Sequence, residues 1–136
     1  MSVNVEALVK ALAGPTVAPA AFYTVQPANV PGDLPAAGCV VIRHIPGGSH
    51  VDPRFQHVRA SIRVDAYHVS RHSAFELCAD VLDALSAAWQ AGLTTAHGRI
   101  TRIPVDGLGT PSPIRFDDDP SGFTRYTALA QIDCAR

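Results

Sequence analysis

The sequence predicts an α+β domain: a four-stranded, mainly antiparallel sheet covered on one face by a long amphipathic helix, with a short N-terminal helix and a Pro-rich extended arm. Three observations predict it. Residues 57–67 alternate strictly, with Val58, Ala60, Ile62, Val64 and Ala66 apolar and the residues between them polar. That period of two marks a strand with one buried face. Ala74, Cys78, Val81, Leu85 and Ala88 then recur at three and four, which is the stripe of a core-facing helix. The last segment returns to a period of two, with Tyr126, Ala128, Ala130, Ile132 and Cys134 on one side.

The remaining elements follow in order. Asn4 to Ala13 carries Val5, Leu8, Val9 and Leu12 on one stripe. Ser2 or Asn4 can cap this helix, Glu6 and Lys10 stand at i,i+4, and Gly14-Pro15 ends it. The passage 15–38 holds five prolines, which forbid a helix interior or a central strand, so it reads as an arm. Ala20 to Val25 is a possible short strand within it. Cys39 to Arg43 is an apolar strand, paired with residues 57–67 across a hairpin loop, 46–56. Ser73-Ala74-Phe75-Glu76 reads as a capping box that opens the long helix, and Gly92 closes it. His97 to Val105 is a weaker strand, and 106–122 is an acidic, Pro- and Gly-rich loop.

The chain's 136 residues suit one domain, 1–136, and its 47% hydrophobic content is enough for one core without disulfides. The net charge of -1 argues against long-range attraction of nucleic acid. No apolar run reaches the length of a membrane span, so no membrane partner is expected, and the first residues lack a secretory signal. Cys39, Cys78 and Cys134 are odd in number and far apart, which reads as buried free thiols.

No pattern here supports catalysis, a metal or a cofactor. His68 and His72 straddle a strand–helix junction, and His44, His50 and His57 fall in or beside the hairpin loop. Asp117, Asp118 and Asp119 lack the spacing of a calcium loop and read as a solvated turn, with loop contacts as their one candidate role beside His50. There is no G-x-S-x-G, and Gly107-Leu108-Gly109 does not open a helix. The expectation is a protein that is not an enzyme.

Charge offers more. The polar arc of the long helix, Glu76, Asp80, Asp83 and Gln90, has no lysine or arginine at i,i+4. The polar face of the strand 57–67 carries Arg59 and Arg63. If the helix covers the apolar face, acid and base point opposite ways, and such a subunit favours head-to-tail association. Glu76, Asp80, Asp83, Arg59 and Arg63 are then the candidate interface. The alternative is that Arg59 and Arg63 pair with Asp65 or Asp133 inside the sheet.

The run Ile62-Arg63-Val64-Asp65-Ala66-Tyr67, followed by His68-Val69-Ser70-Arg71, by Ala74-Phe75-Glu76-Leu77 and by Val81-Leu82-Asp83-Ala84-Leu85, resembles the tail terminator proteins of long-tailed bacteriophages. The closing segment from Phe123-Thr124-Arg125-Tyr126-Thr127-Ala128 to Cys134 is similar to that family's last strand. The resemblance implies a virion protein, made in the host cytoplasm. It would form a homo-oligomeric ring, usually a hexamer, on the head-proximal end of the tail tube. There it would stop tube polymerisation and dock to head-completion or stopper proteins, while genomic DNA passes through the lumen without sequence-specific binding. The composition implies an actinobacterial host. Other readings stay open: a head-closure connector of the neck, a small metal-dependent enzyme or ligand-binding domain, and a nucleic-acid binder through Arg43, Arg59, Arg63, Arg71, Arg99 and Arg102.

Overall fold

A computed structural model describes residues 3–18, 20–24, 37–45, 57–114 and 124–136. The hairpin loop with His50, most of the Pro-rich arm, and the part of the acidic loop that holds Asp117, Asp118 and Asp119 lie outside these. The elements run α1 (Val5–Val17), β1 (Ala21–Tyr23), β2 (Cys39–Ile45), β3 (His57–His68), α2 (Arg71–Ala91), β4 (Arg99–Arg102), β5 (Ser112–Ile114) and β6 (Thr124–Ala135).

The expected fold class needs correction on two counts. Among the described residues the sheet has six strands and is mixed, in the order β1-β2-β3-β6-β4, with β5 also on β6, and it curls into a half-barrel. Its cover is two helices. The alternating segments became the long central ladder: β3 and β6 pair antiparallel over their whole length, from His57↔Ala135 to His68↔Thr124. β1 joins β2 in parallel, Ala21 opposite Cys39, inside the passage expected as an arm. β5 arises within the expected loop, Ser112 opposite Thr127. Pro111 and Pro113 are tolerated because this is an edge, where a missing N–H breaks no inner ladder.

One helix could not cover such a sheet. Five strands side by side place the outer axes roughly 20 Å apart, while a helix is about 10 Å across. α1 supplies the rest. Val5, Leu8, Val9, Leu12, Ala13 and Val17 are all buried, and α1 packs on α2 and β2. This helix is a core element, and it runs on through Gly14-Pro15 to Val17. Pro15 stands in the last turn, where it forfeits one backbone bond, and burial of Val17 (7% exposed) and Ala20 (9%) offsets that loss. Asn4 caps α1 by accepting from the Ala7 amide at 3.1 Å. Glu6 accepts from the His44 amide on β2 at 3.0 Å, a tie between helix and sheet in place of the expected pairing with Lys10.

α2 starts three residues before the expected capping box. Ser70 is its N-cap and accepts from the Ser73 amide at 3.4 Å. Glu76 therefore lies in the second turn, 3.0 Å from His72. Gly92 ends the helix in the left-handed region at φ 65, as the sequence predicts. The buried stripe of α2, from Ala74 to Ala88, meets Val58, Ala60, Ile62 and Val64 of β3 and Ala128, Ala130, Ile132 and Cys134 of β6 in one core.

Candidate functional site

The odd-numbered residues of β3 project from the other face of the sheet, away from both helices. Register places them in rows with β2 and β6. Cys39, Tyr67 and Arg125 form one row, then Val41, Asp65 and Thr127, then Arg43, Arg63 and Leu129, then Ile45, Ser61 and Gln131. At one end Arg59 lies directly opposite Asp133.

Most of the charge on this face is met within the sheet. Arg59 forms a two-pronged bond to Asp133, Nε to Oδ1 at 2.8 Å and Nη2 to Oδ2 at 3.1 Å. That hydrogen bond, and then the carboxylate's charge, raises the Arg59 pKa further above its ordinary value. Asp65, only 8% exposed, serves two arginines. Arg63 Nε lies 3.2 Å from its carboxylate and Arg125 Nη2 lies 3.1 Å from Oδ1. The Arg125 guanidinium also stands 5.5 Å from the Tyr67 ring centre. Burial, ahead of the opposing pull of Arg125, raises the Tyr67 pKa. Of the two outcomes open at the level of sequence, in-sheet pairing thus engages both Arg59 and Arg63.

Arg43 is different. It is exposed and lies directly across from Arg63, a like-charge neighbour. Among the described residues it has no acidic partner. Beside this pair the sheet surface sinks into an open depression of about 380 Å³, whose lining includes Ile45, Ser61, Asp106, Gly107, Leu129 and Gln131. Leu129 is 59% exposed at its rim. The glycines let the 107–109 backbone lie against β6: a Cβ on Gly109 would stand 2.7 Å from the Leu129 carbonyl oxygen.

On the opposite side of the domain, Glu76, Asp80 and Asp83 form an exposed acidic stripe along α2. Partial burial, then the charges of Glu76 and Asp83, raises the Asp80 pKa above its ordinary value. The structure therefore brings the three acids of the expected interface together on one helix and sets Arg63 on the far face. It commits Arg59 to Asp133. Sequence reasoning missed Arg43 and Arg125 as members of this face. Both stand at polar positions of their strands, but only the register across β2, β3 and β6 brings them beside Arg63.

The groups weighed for chemistry are dispersed. Among the described residues no three His, Cys, Asp or Glu side chains converge on a common point. His57 Nε2 lies 3.1 Å from Thr101 Oγ1. The Thr101 hydroxyl donates to the Asp133 carbonyl at 3.1 Å, so it can only accept from His57. That imidazole is thus a donor there and no base for the hydroxyl. The thiols of Cys39, Cys78 and Cys134 are free and buried, and burial pushes their pKa values up to about 11, 12 and 12. Of the arginines weighed for nucleic acid, Arg71 donates to the Tyr126 hydroxyl at 3.0 Å, and Arg99 and Arg102 lie on the edge strand β4. Among the described residues no helix is long and apolar enough to cross a membrane.

No family model matches the chain, and neither does any curated protein. Among solved structures the chain is similar to one in the "Virion of native gene transfer agent (GTA) particle", at 17% identity and a TM-score of 0.48, covering 96% of this chain and 86% of that one.

Proposed function

We propose that this protein is a structural virion protein that performs no catalysis. In this reading it forms a ring, of six subunits, on the head-proximal end of a phage tail tube, ends tube polymerisation and docks to head-completion proteins. The observation that carries the reading is the placement of charge. An acidic helix surface and an arginine-bearing sheet surface lie on opposite sides of one small domain, which suits head-to-tail contacts that close into a ring. The segments that resemble tail terminators add to it, because they fall on β3, its exit turn, α2 and β6, the central ladder and its helix. DNA would pass through the lumen without base contacts.

The reading is tested on the purified protein by native mass spectrometry and negative-stain imaging. A single closed species of about six subunits, seen as a ring, is the expected result. Addition of that species to polymerising tail tube protein should shorten the tubes. A uniform 14.4 kDa monomer at all concentrations would sink the reading.

A further inference from the structure

We infer that the open sheet face around Arg43 and Arg63 is a docking surface for the acidic stripe of α2 on a second copy of this chain. The inference rests on the ring reading above and names the contact.

Its starting point is an arrangement that works against the fold. Arg43 and Arg63 are cross-strand neighbours of like charge on β2 and β3, a placement that destabilises a sheet. Asp65 is shared by Arg63 and Arg125, Asp106 lines the depression beside the row without an ion pair to it, and Arg43 is left exposed with no acidic partner among the described residues. A second arrangement mirrors it on the opposite side. Glu76, Asp80 and Asp83 lie within two turns of one helix, and among the described residues their one possible cationic partner is His72, 3.0 Å from Glu76. Each surface lacks what the other offers, and rotation between copies can bring them together where folding of one copy cannot.

Shape agrees with charge. The row Arg43-Arg63-Leu129 borders the depression floored by Ile45, Ser61 and Gln131. α2 presents short side chains next to its acids: Ala87, exposed, stands one turn after Asp83, and Ala79 precedes Asp80. A helix with such a surface can approach a sheet closely enough for its carboxylates to reach arginine forks. Arg59 is outside this surface in energetic terms, since Asp133 already satisfies it.

The test is a charge swap read by native mass spectrometry and sedimentation over a concentration series. Arg43→Glu places an acid opposite Arg63, which suits the fold while it removes the docking charge. Asp80→Lys with Asp83→Lys reverses the other surface. Each change alone should raise the concentration needed for half-assembly by about tenfold or more. The chain carrying all three changes should recover part of the lost assembly, because the acid at position 43 can meet the lysines at 80 and 83 of the next copy while Arg63 and Glu76 stay as they were. Circular dichroism establishes that each variant is folded. A wild type that assembles while Arg43→Glu has no effect would overturn the docking surface and leave the ring standing. Loss in both variants without recovery in the triple variant would overturn α2 as the occupant. A duplex DNA probe bound by the wild type and lost in Arg43→Glu, with assembly intact, would assign the face to nucleic acid instead. A wild type that never assembles would end both readings.

Discussion

The two faces of the β3–β6 ladder are made from the same two strands, yet they obey different rules. The face under the helices is filled by Val58, Ala60, Ile62 and Val64 against Cys134, Ile132, Ala130 and Ala128, each at most 7% exposed. The other face is apolar at one end, where Tyr67 is buried with Cys39 and Val41 of β2, and elsewhere holds arginines, aspartates, Ser61, Gln131 and a Leu129 that is 59% exposed. Side chains alternate sides along a strand, so a single register sets both. The covered face is held by apolar burial, which is non-directional. Beyond the Cys39-Val41-Tyr67 cluster, the open face is held by paired charges, which are directional and can be left incomplete. A protein that must both fold and meet a neighbour can divide the tasks between faces in this way.

Substitutions on the two faces should separate accordingly. Ile132→Ala, at a position with no exposure, should cost about 2–5 kcal/mol by denaturant unfolding. Asp65→Asn keeps the shape and removes the charge that Arg63 and Arg125 share, and should cost about 1–3 kcal/mol. Leu129→Ser, three residues before Ile132 but on the open face, should shift stability by no more than about 0.5 kcal/mol. A large cost at Leu129 would show that the open face is itself a packed core, and the division drawn here would fail.

The covered face was legible in the sequence because its signal is local. The alternation in β3 and β6 and the stripes of α1 and α2 each need only a dozen residues to be seen. The strands β1 and β5 were not legible as strands of the sheet. Ser112-Pro113-Ile114 has little strand preference of its own, and it is extended because β6 offers an unpaired edge and Gly107 and Gly109 let the chain lie close. The cover was misjudged for a related reason: the stripe of α1 was visible, but the width of sheet it had to cover was not. The charge pairs sit between these cases. Asp133 could be named as a partner of Arg59 from strand alternation, but the choice between it and a neighbouring subunit required a register across 74 positions of chain. Arg43 could be named as one arginine among six, but its place opposite Arg63, without an acidic partner among the described residues, is displayed by no local pattern.

The acidic stripe offers the smallest and most diagnostic effect. Asp80 has its pKa raised above 3.8, by desolvation first and then by Glu76 and Asp83. A raised carboxylate pKa means that the folded chain binds this proton more readily than the unfolded chain does. Its penalty is absent below the unfolded value, develops as pH rises through the folded value, and is fully present at neutral pH. Asp80→Asn should therefore stabilise the isolated subunit at pH 7, by about 0.2–0.5 kcal/mol given the helical spacing and the exposure of the group. The gain should vanish below the unfolded pKa and shrink in high salt. The same change should weaken assembly if the stripe meets Arg43 and Arg63 of the next copy. A residue that opposes the fold of one subunit while it supports the contact between two would show opposite signs in the two measurements, whereas a stripe with no partner would show the first effect alone.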